Sequence, residues 1–209
     1  MRLADGPHVE CQIEIAAAPE QVWELVSDIA TSARHSPELQ EVTWLDGAEG
    51  PAVGACFSGR NRNEVLGEWH TVSRIAEMEE PRTFQWEVVY TDDRRGGDPL
   101  AIWTYTLEAV TGGSGTRLQH GMRIGTARGP MHDFVEKHPE KEKEIIASRL
   151  DLLRNGIEAT LAGVKAEAEA RSRGRRPESF ARGAGAHRTC PARSCPPSSV
   201  PVCAARSSP

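Results

Sequence analysis

One stretch constrains this chain more than any other: the amphipathic run from His138 to Ala170. After Pro139 it reads EKEKEIIASRLDLLRNGIEATLAGVKAEAEA, with no further proline and few β-branched residues. Ile146, Leu150, Leu153, Ile157, Leu161 and Val164 recur three or four residues apart. That spacing places them on one face of an α-helix, while Glu142, Arg149, Glu158 and Lys165 fall off it. At about 1.5 Å per residue the helix is on the order of 40 Å long. A stripe of that length must be covered by something equally long. The chain before it reads mostly as strands, so the expectation is an antiparallel sheet curled around the helix, with any interior space between the two.

The upstream pattern supplies that sheet. Val9, Cys11, Ile13 and Ile15 alternate with His8, Glu10, Gln12 and Glu14, as in a half-buried strand. Pro19 opens a short helix running to Ile29, with Val22, Trp23, Val26 and Ile29 on one side. A second helical piece, Thr31–His35, must stop near Ser36, because Pro37 cannot donate the next helical hydrogen bond. Strands are then expected at Gln40–Leu45, at Cys56–Gly59 before a turn around Arg60–Asn63, and at Val65–Met78 with a bulge near Gly67. Phe84, Trp86, Val88 and Tyr90 share one strand face. Trp103, Tyr105 and Leu107 share another, and so do Leu118, His120, Met122 and Ile124. Asp92–Asp98 and Gly112–Gly115 read as hairpin turns. The fold class is α+β: a curled seven-stranded antiparallel sheet around a long C-terminal helix, with two short helices after the first strand.

Charge divides the chain. Residues 171–209 hold eight arginines, no lysine and one acidic residue, Glu178, a formal +7; the whole chain is −5, which leaves −12 on residues 1–170. Residues 1–170 are therefore expected to form one folded domain, and residues 171–209 a disordered basic Arg/Pro/Ser-rich tail. The acidic body argues against nucleic-acid binding by the domain. No run is apolar enough to span a membrane, and no signal-peptide core opens the chain, so the expected location is cytoplasmic. Cys11 and Cys56 lie in expected strands and Cys190, Cys195 and Cys203 in the tail, which is no disulfide framework. No metal site or cofactor motif is spaced correctly, no serine elbow appears, and the glycines at Gly112–Gly115 sit between strands rather than before a helix. Homodimerisation through a sheet edge is compatible with the pattern but not specified by it.

With the order of elements in place, the chain resembles the START-like, or helix-grip, superfamily. Within it, the resemblance is to the bacterial polyketide cyclase/dehydrase and lipid-transport group (SRPBCC proteins), distantly related to the birch-pollen allergen. The residues that carry it are Ile15-Ala16-Ala17-Ala18-Pro19-Glu20-Gln21-Val22-Trp23, then Val26-Ser27-Asp28. His35-Ser36-Pro37-Glu38-Leu39 with Val42 and Trp44 follows, although Arg34-His35 stands where relatives often place a tryptophan. Trp69, Pro81-Arg82-Thr83-Phe84-Gln85-Trp86 and Gly115-Thr116-Arg117-Leu118 complete it, over residues 7–168. The resemblance implies a deep cavity between sheet and C-terminal helix that holds an apolar or amphipathic small molecule. It selects neither ligand nor reaction.

Candidates for that cavity are Trp69, Trp86, Trp103, Tyr105, His120 and Met122 from the strands, whose spacing leaves open which face lines it, and Leu153 and Ile157 from the helix stripe. Met131 and Phe134, in the segment after Arg128-Gly129-Pro130, are expected to form a lip over the opening. Five tryptophans against two tyrosines suit an aromatic or lipid-like ligand. Trp23 and Trp44 fit better as core. An inward His120 could position a ligand carbonyl or exchange a proton, with Tyr105 beside it. Glu68 and His70 share the face opposite Trp69 and read as solvated, as does Arg123. The reading is binding of a lipid, aromatic or polyketide-like molecule. The alternatives are a cyclase/dehydratase-like enzyme or a regulatory interaction protein.

Overall fold

The computed structural model describes residues 2–90, 97–110 and 115–174. Most of the Asp92–Asp98 and Gly112–Gly115 turns, and the tail from residue 175, lie outside these. A short 3-10 turn leads into β1 (His8–Ile15), then α1 (Pro19–Val26) and α2 (Ile29–His35). The sheet continues with β2 (Leu39–Trp44), β3 (Cys56–Asn63), β4 (Gly67–Glu79), β5 (Thr83–Val89), β6 (Ala101–Ala109) and β7 (Thr116–Ile124). Helices α3 (Pro130–Lys137) and α4 (Glu142–Gly174) close the fold. The strands form one antiparallel sheet in the order β1-β7-β6-β5-β4-β3-β2. β1 thus pairs with the last strand, β7.

Local chemistry sets the corrections. The helix expected to run to Ile29 breaks at Ser27–Asp28, because Asp28 caps a second helix and accepts a hydrogen bond from the Ala30 amide at 3.0 Å. β3 runs through Asn63 rather than turning at Arg60, and the turn falls at Glu64–Leu66. The bulge in β4 lies between Ile75 and Glu77, not near Gly67. This explains the imperfect alternation: Trp69, Thr71, Ser73 and Ile75 share the inner face, the extra residue flips the parity, and Met78 then packs inward.

The long helix starts later than expected. Gly129–Pro130 begins the separate helix α3, and Pro139 ends the run with a 3-10 turn before Glu142. At its far end α4 continues past Ala170 to Gly174. Its stripe is buried as read: Ile146, Leu150, Leu153, Ile157, Leu161 and Val164 are none more than 7 % exposed. Burial of each such side chain contributes about 1.5–3 kcal/mol. Side chains from both ends of α4 tie it to the N-terminal segment. Glu142 accepts from the Leu3 amide at 2.9 Å, Glu169 from the Ala16 amide at 3.0 Å, and Lys165 donates to the Glu14 carbonyl at 2.6 Å.

Two glycines of α4 face the end of α2 and the turn after it, with different clearances. A Cβ at Gly163 would lie 2.4 Å from the His35 ring, which its hydrogen bond to Glu167 (2.9 Å) holds in place. A Cβ at Gly156 would meet Pro37 at an ordinary 3.7 Å. Alanine is about 1 kcal/mol better than glycine inside a helix. Gly156→Ala is therefore expected to be neutral or to stabilise by up to about 1 kcal/mol. Gly163→Ala is expected to destabilise by about 1–3 kcal/mol despite the same propensity gain. Urea denaturation of both variants measures the difference, and equal signs would contradict this packing.

Candidate functional site

Between α4 and the inner face of the sheet lies a cavity of about 210 Å³. The sheet contributes Phe57 and Asn61 from β3, Trp69, Thr71 and Ser73 from β4, Trp86 and Val88 from β5, and Trp103 with His120 and Met122 from β6 and β7. From α4 come Arg149, Leu152, Leu153, Gly156, Ile157 and Thr160, and Ser32 and Ser36 border it from α2 and its end. The interior is therefore not filled by side chains.

Register makes the aromatic wall. Ile75, Trp86, Trp103 and Met122 stand opposite one another across four strands, and Phe84, Tyr105 and His120 form the neighbouring row. Trp86 and Trp103 stack at 6.0 Å with only 5° between their planes. His120 stacks on Tyr105 at 3.9 Å and on Trp103 at 5.4 Å. Cross-strand neighbours on one face are close enough for such contacts, and each adds about 0.5–1.5 kcal/mol beyond area burial.

His120 is 4 % exposed, and its Nδ1 lies 3.0 Å from the Thr104 carbonyl oxygen. A carbonyl only accepts, so Nδ1 carries the proton and Nε2 presents a bare lone pair. Nε2 has no hydrogen-bond partner among the described residues. No buried side-chain nitrogen or oxygen there is left unsatisfied, so Nε2 must reach the cavity space. Burial lowers the His120 pKa from 6.5 to about 4, against the opposing pull of the Thr104 carbonyl. The ring is neutral at pH 7. Tyr105 is fully buried, with its hydroxyl 3.1 Å from Ser32 Oγ, and burial raises its pKa to about 12.

At the rim, Arg149 grips Glu38 through two nitrogens at 2.7 and 3.0 Å, and Asn63 donates to the same carboxylate at 2.8 Å. Burial pushes the Glu38 carboxyl up, but the Arg149 hydrogen bonds and charge, helped by Asn63, outweigh it and hold the pKa below the ordinary value. This pair ties the turn after α2 to the middle of α4.

Of the residues expected at the cavity, Trp69, Trp86, Trp103, His120, Met122, Leu153 and Ile157 border it. Tyr105 does not: it lies under His120 with its hydroxyl on Ser32. Met131 is half-buried against the core, and Phe134 is 53 % exposed and packs on His138, so neither borders the space. Both belong to α3, whose helical geometry replaces the expected lip. Glu68, His70 and Arg123 are exposed. Sequence reading missed the Glu38–Arg149 pair, whose members are 111 residues apart, and the polar inner positions Asn61, Thr71 and Ser73. Asn61, Thr71 and Ser73 become legible only once the true end of β3 and the bulge of β4 are known.

Among the described residues, no cluster of His, Cys, Asp or Glu could hold a metal ion, and no helix is long and apolar enough to cross a membrane. A curled sheet gripping one long helix over a lined cavity is the helix-grip class of protein. Residues 7–169 match the family model described as polyketide cyclase/dehydrase and lipid transport, and the chain belongs to that family. The chain is similar to the polyketide-cyclase-like protein Cgl2372 of Corynebacterium glutamicum, at 30 % identity over 80 % of this chain and 94 % of that one, TM-score 0.54. Its fold also matches the ZhuI aromatase/cyclase of Streptomyces sp. R1128, at 19 % identity, 79 % and 95 % coverage, and TM-score 0.52. Protein NE0264 of Nitrosomonas europaea matches at 12 % identity, 80 % and 96 % coverage, and TM-score 0.52. Comparison with curated proteins returns no match. Fold and family together support a cavity protein for hydrophobic ligands.

The depressed pKa of His120 has a measurable consequence. The folded state resists protonation that the unfolded chain accepts, so this contribution to stability is present above about pH 6.5 and is lost as pH falls toward 4. A shift of this size corresponds to on the order of 3 kcal/mol. Glu38 acts lower: its contribution is present above about pH 4.5 and disappears as pH falls through its lowered folded value. Thermal unfolding from pH 7 to 4.5 should show falling stability in the native chain, and a much flatter profile in His120→Phe. An unchanged slope in that variant would refute the buried neutral imidazole.

Proposed function

We propose that this chain binds a small hydrophobic molecule, reversibly and without covalent chemistry, in the cavity between α4 and the sheet. One observation carries the reading: an open space of about 210 Å³ with Trp69, Trp86 and Trp103 along its wall. Rigid indole faces favour flat ligands, because ring stacks on ring with little loss of side-chain freedom. An apolar cavity of about 150 Å³ accepts benzene. The space here suits a ligand of about one or two fused rings, and a long acyl chain would need α4 or the rim to move. The similarity to a polyketide-cyclase-like protein agrees with an aromatic or polyketide-like ligand, while the family description covers polyketide and lipid ligands alike.

Cyclase-like chemistry is the alternative. It would depend on the shaped cavity holding a flexible chain in a reactive fold. His120 is a weak base when its conjugate acid has a pKa of about 4, and Tyr105 faces Ser32 rather than the space. Binding is therefore the better reading, with a small molecule as the partner and no cofactor required.

Native mass spectrometry of the gently purified full chain tests it, with identification of whatever is released. The expected result is a bound hydrophobic compound near one per chain, and quenching of tryptophan emission by added naphthalene. Thr160→Phe should project a ring into the space and weaken naphthalene binding about tenfold or more. A chain that releases nothing and whose emission ignores naphthalene would sink the proposal.

A further inference from the structure

The cavity wall is chemically one-sided at its deep end. Among the described residues of the aromatic rows, Nε2 of His120 is the one hydrogen-bond acceptor without a partner, and the Thr104 carbonyl fixes it in that role. A protonated, doubly donating imidazole would cost the ring its neutrality inside an apolar stack. The other end holds the only charges of the lining, Glu38 and Arg149, and they neutralise each other through two hydrogen bonds. An anionic ligand would enter a site with no uncompensated cation, and a cationic one a site with no free carboxylate. Either would leave its charge desolvated and unpaired.

Granting the binding proposed above, we infer that the ligand is an uncharged hydroxy-aromatic, a phenol or enolised ring, whose hydroxyl donates a hydrogen bond to Nε2 of His120. Its flat body lies against Trp86 and Trp103, the two rings beside the imidazole. A ligand offering only a carbonyl or ether oxygen sets lone pair against lone pair at Nε2. Fatty acids and other carboxylates are excluded by charge. A site built to satisfy one hydrogen bond rejects analogues that lack it, because its own polar atom is then left unpaired.

Three bicyclic probes of similar size separate these cases: 2-naphthol, 2-methoxynaphthalene and 2-naphthoate, titrated calorimetrically into the full chain at pH 7. The expected order is naphthol tightest, the methyl ether about tenfold weaker, and the carboxylate weaker still by a further tenfold or more. His120→Phe keeps a ring in the stack but removes the acceptor. It should bring naphthol down to the level of the ether while leaving ether binding within about twofold. If that variant does not fold, the native chain labelled with ¹⁵N-histidine gives the same answer. The bare Nε2 resonance should move on adding naphthol and stay in place with the ether. Equal affinity for naphthol and ether, a still Nε2 resonance, or naphthoate binding as tightly as naphthol overturns the inference and leaves the cavity proposal standing. Failure of all three probes to bind overturns both.

Discussion

The molecule depends on one mismatch: a straight apolar stripe on α4 has to be buried against a sheet that curves. At Ile146, Leu161 and Val164 side chains close the interface completely. Leu153 and Ile157, between them, meet the space that the curvature leaves. A tightly packed core would remove that space at once, since interiors pack as densely as organic crystals. What keeps it open is the shape of the wall. Indoles held in register against each other cannot collapse inward without breaking their own stacking, and Gly156 keeps the helix side shallow at one point. The polar inner positions Asn61, Thr71 and Ser73 suit a space that holds water when no ligand is bound.

Strand pairing then converts packing into chemistry. The β6–β7 register puts Tyr105 directly beside His120, and Tyr105 in turn spends its hydroxyl on Ser32. That leaves the tyrosine as a platform and the histidine as the chemical group. The imidazole is buried, stacked on Trp103 and Tyr105 and hydrogen-bonded by Nδ1 to a backbone carbonyl, so orientation and tautomer are both set by the paired strands. A histidine arranged in this way recognises better than it transfers protons, because an acid–base role near neutral pH needs a charged form that this environment disfavours.

The fold was legible from the sequence because its signals are local. The period of Ile146 to Val164, the alternation of Val9 to Ile15 and the faces of Phe84–Val88 and Leu118–Ile124 each report burial within a few residues. Errors arose where one residue changed the count. Asp28 moved the boundary between the two expected helices, ending the first at Val26 and starting the second at Ile29, and the extra residue between Ile75 and Glu77 reversed the parity of β4. The cavity was half legible for the same reason. Once the curled sheet is granted, parity turns Trp86, Trp103, His120 and Met122 inward. Tyr105 shares that parity but is overlaid by His120, a fact of stacking rather than of spacing. Met131 and Phe134 were placed by position along the chain alone, and α3 turns them elsewhere.

No local signal could find Glu38 and Arg149. Each looks like an ordinary solvated charge: Glu38 follows a proline in a turn, and Arg149 falls off the apolar stripe of its helix. Their pairing exists only after α4 has docked, when the turn behind α2 comes beside the middle of the helix and Asn63 joins from the end of β3. The side chains remain about a fifth exposed, 23 % for Arg149 and 19 % for Glu38, so water still screens them and the net stabilisation is modest. Geometry gives the pair its importance. Two parallel hydrogen bonds fix the guanidinium against the carboxylate, which pins α4 over the cavity without adding net charge to its rim. A lysine at position 149 could supply the charge but not the paired hydrogen bonds. The two charged residues of the lining thus neutralise each other, beside a wall carrying Trp69, Trp86 and Trp103.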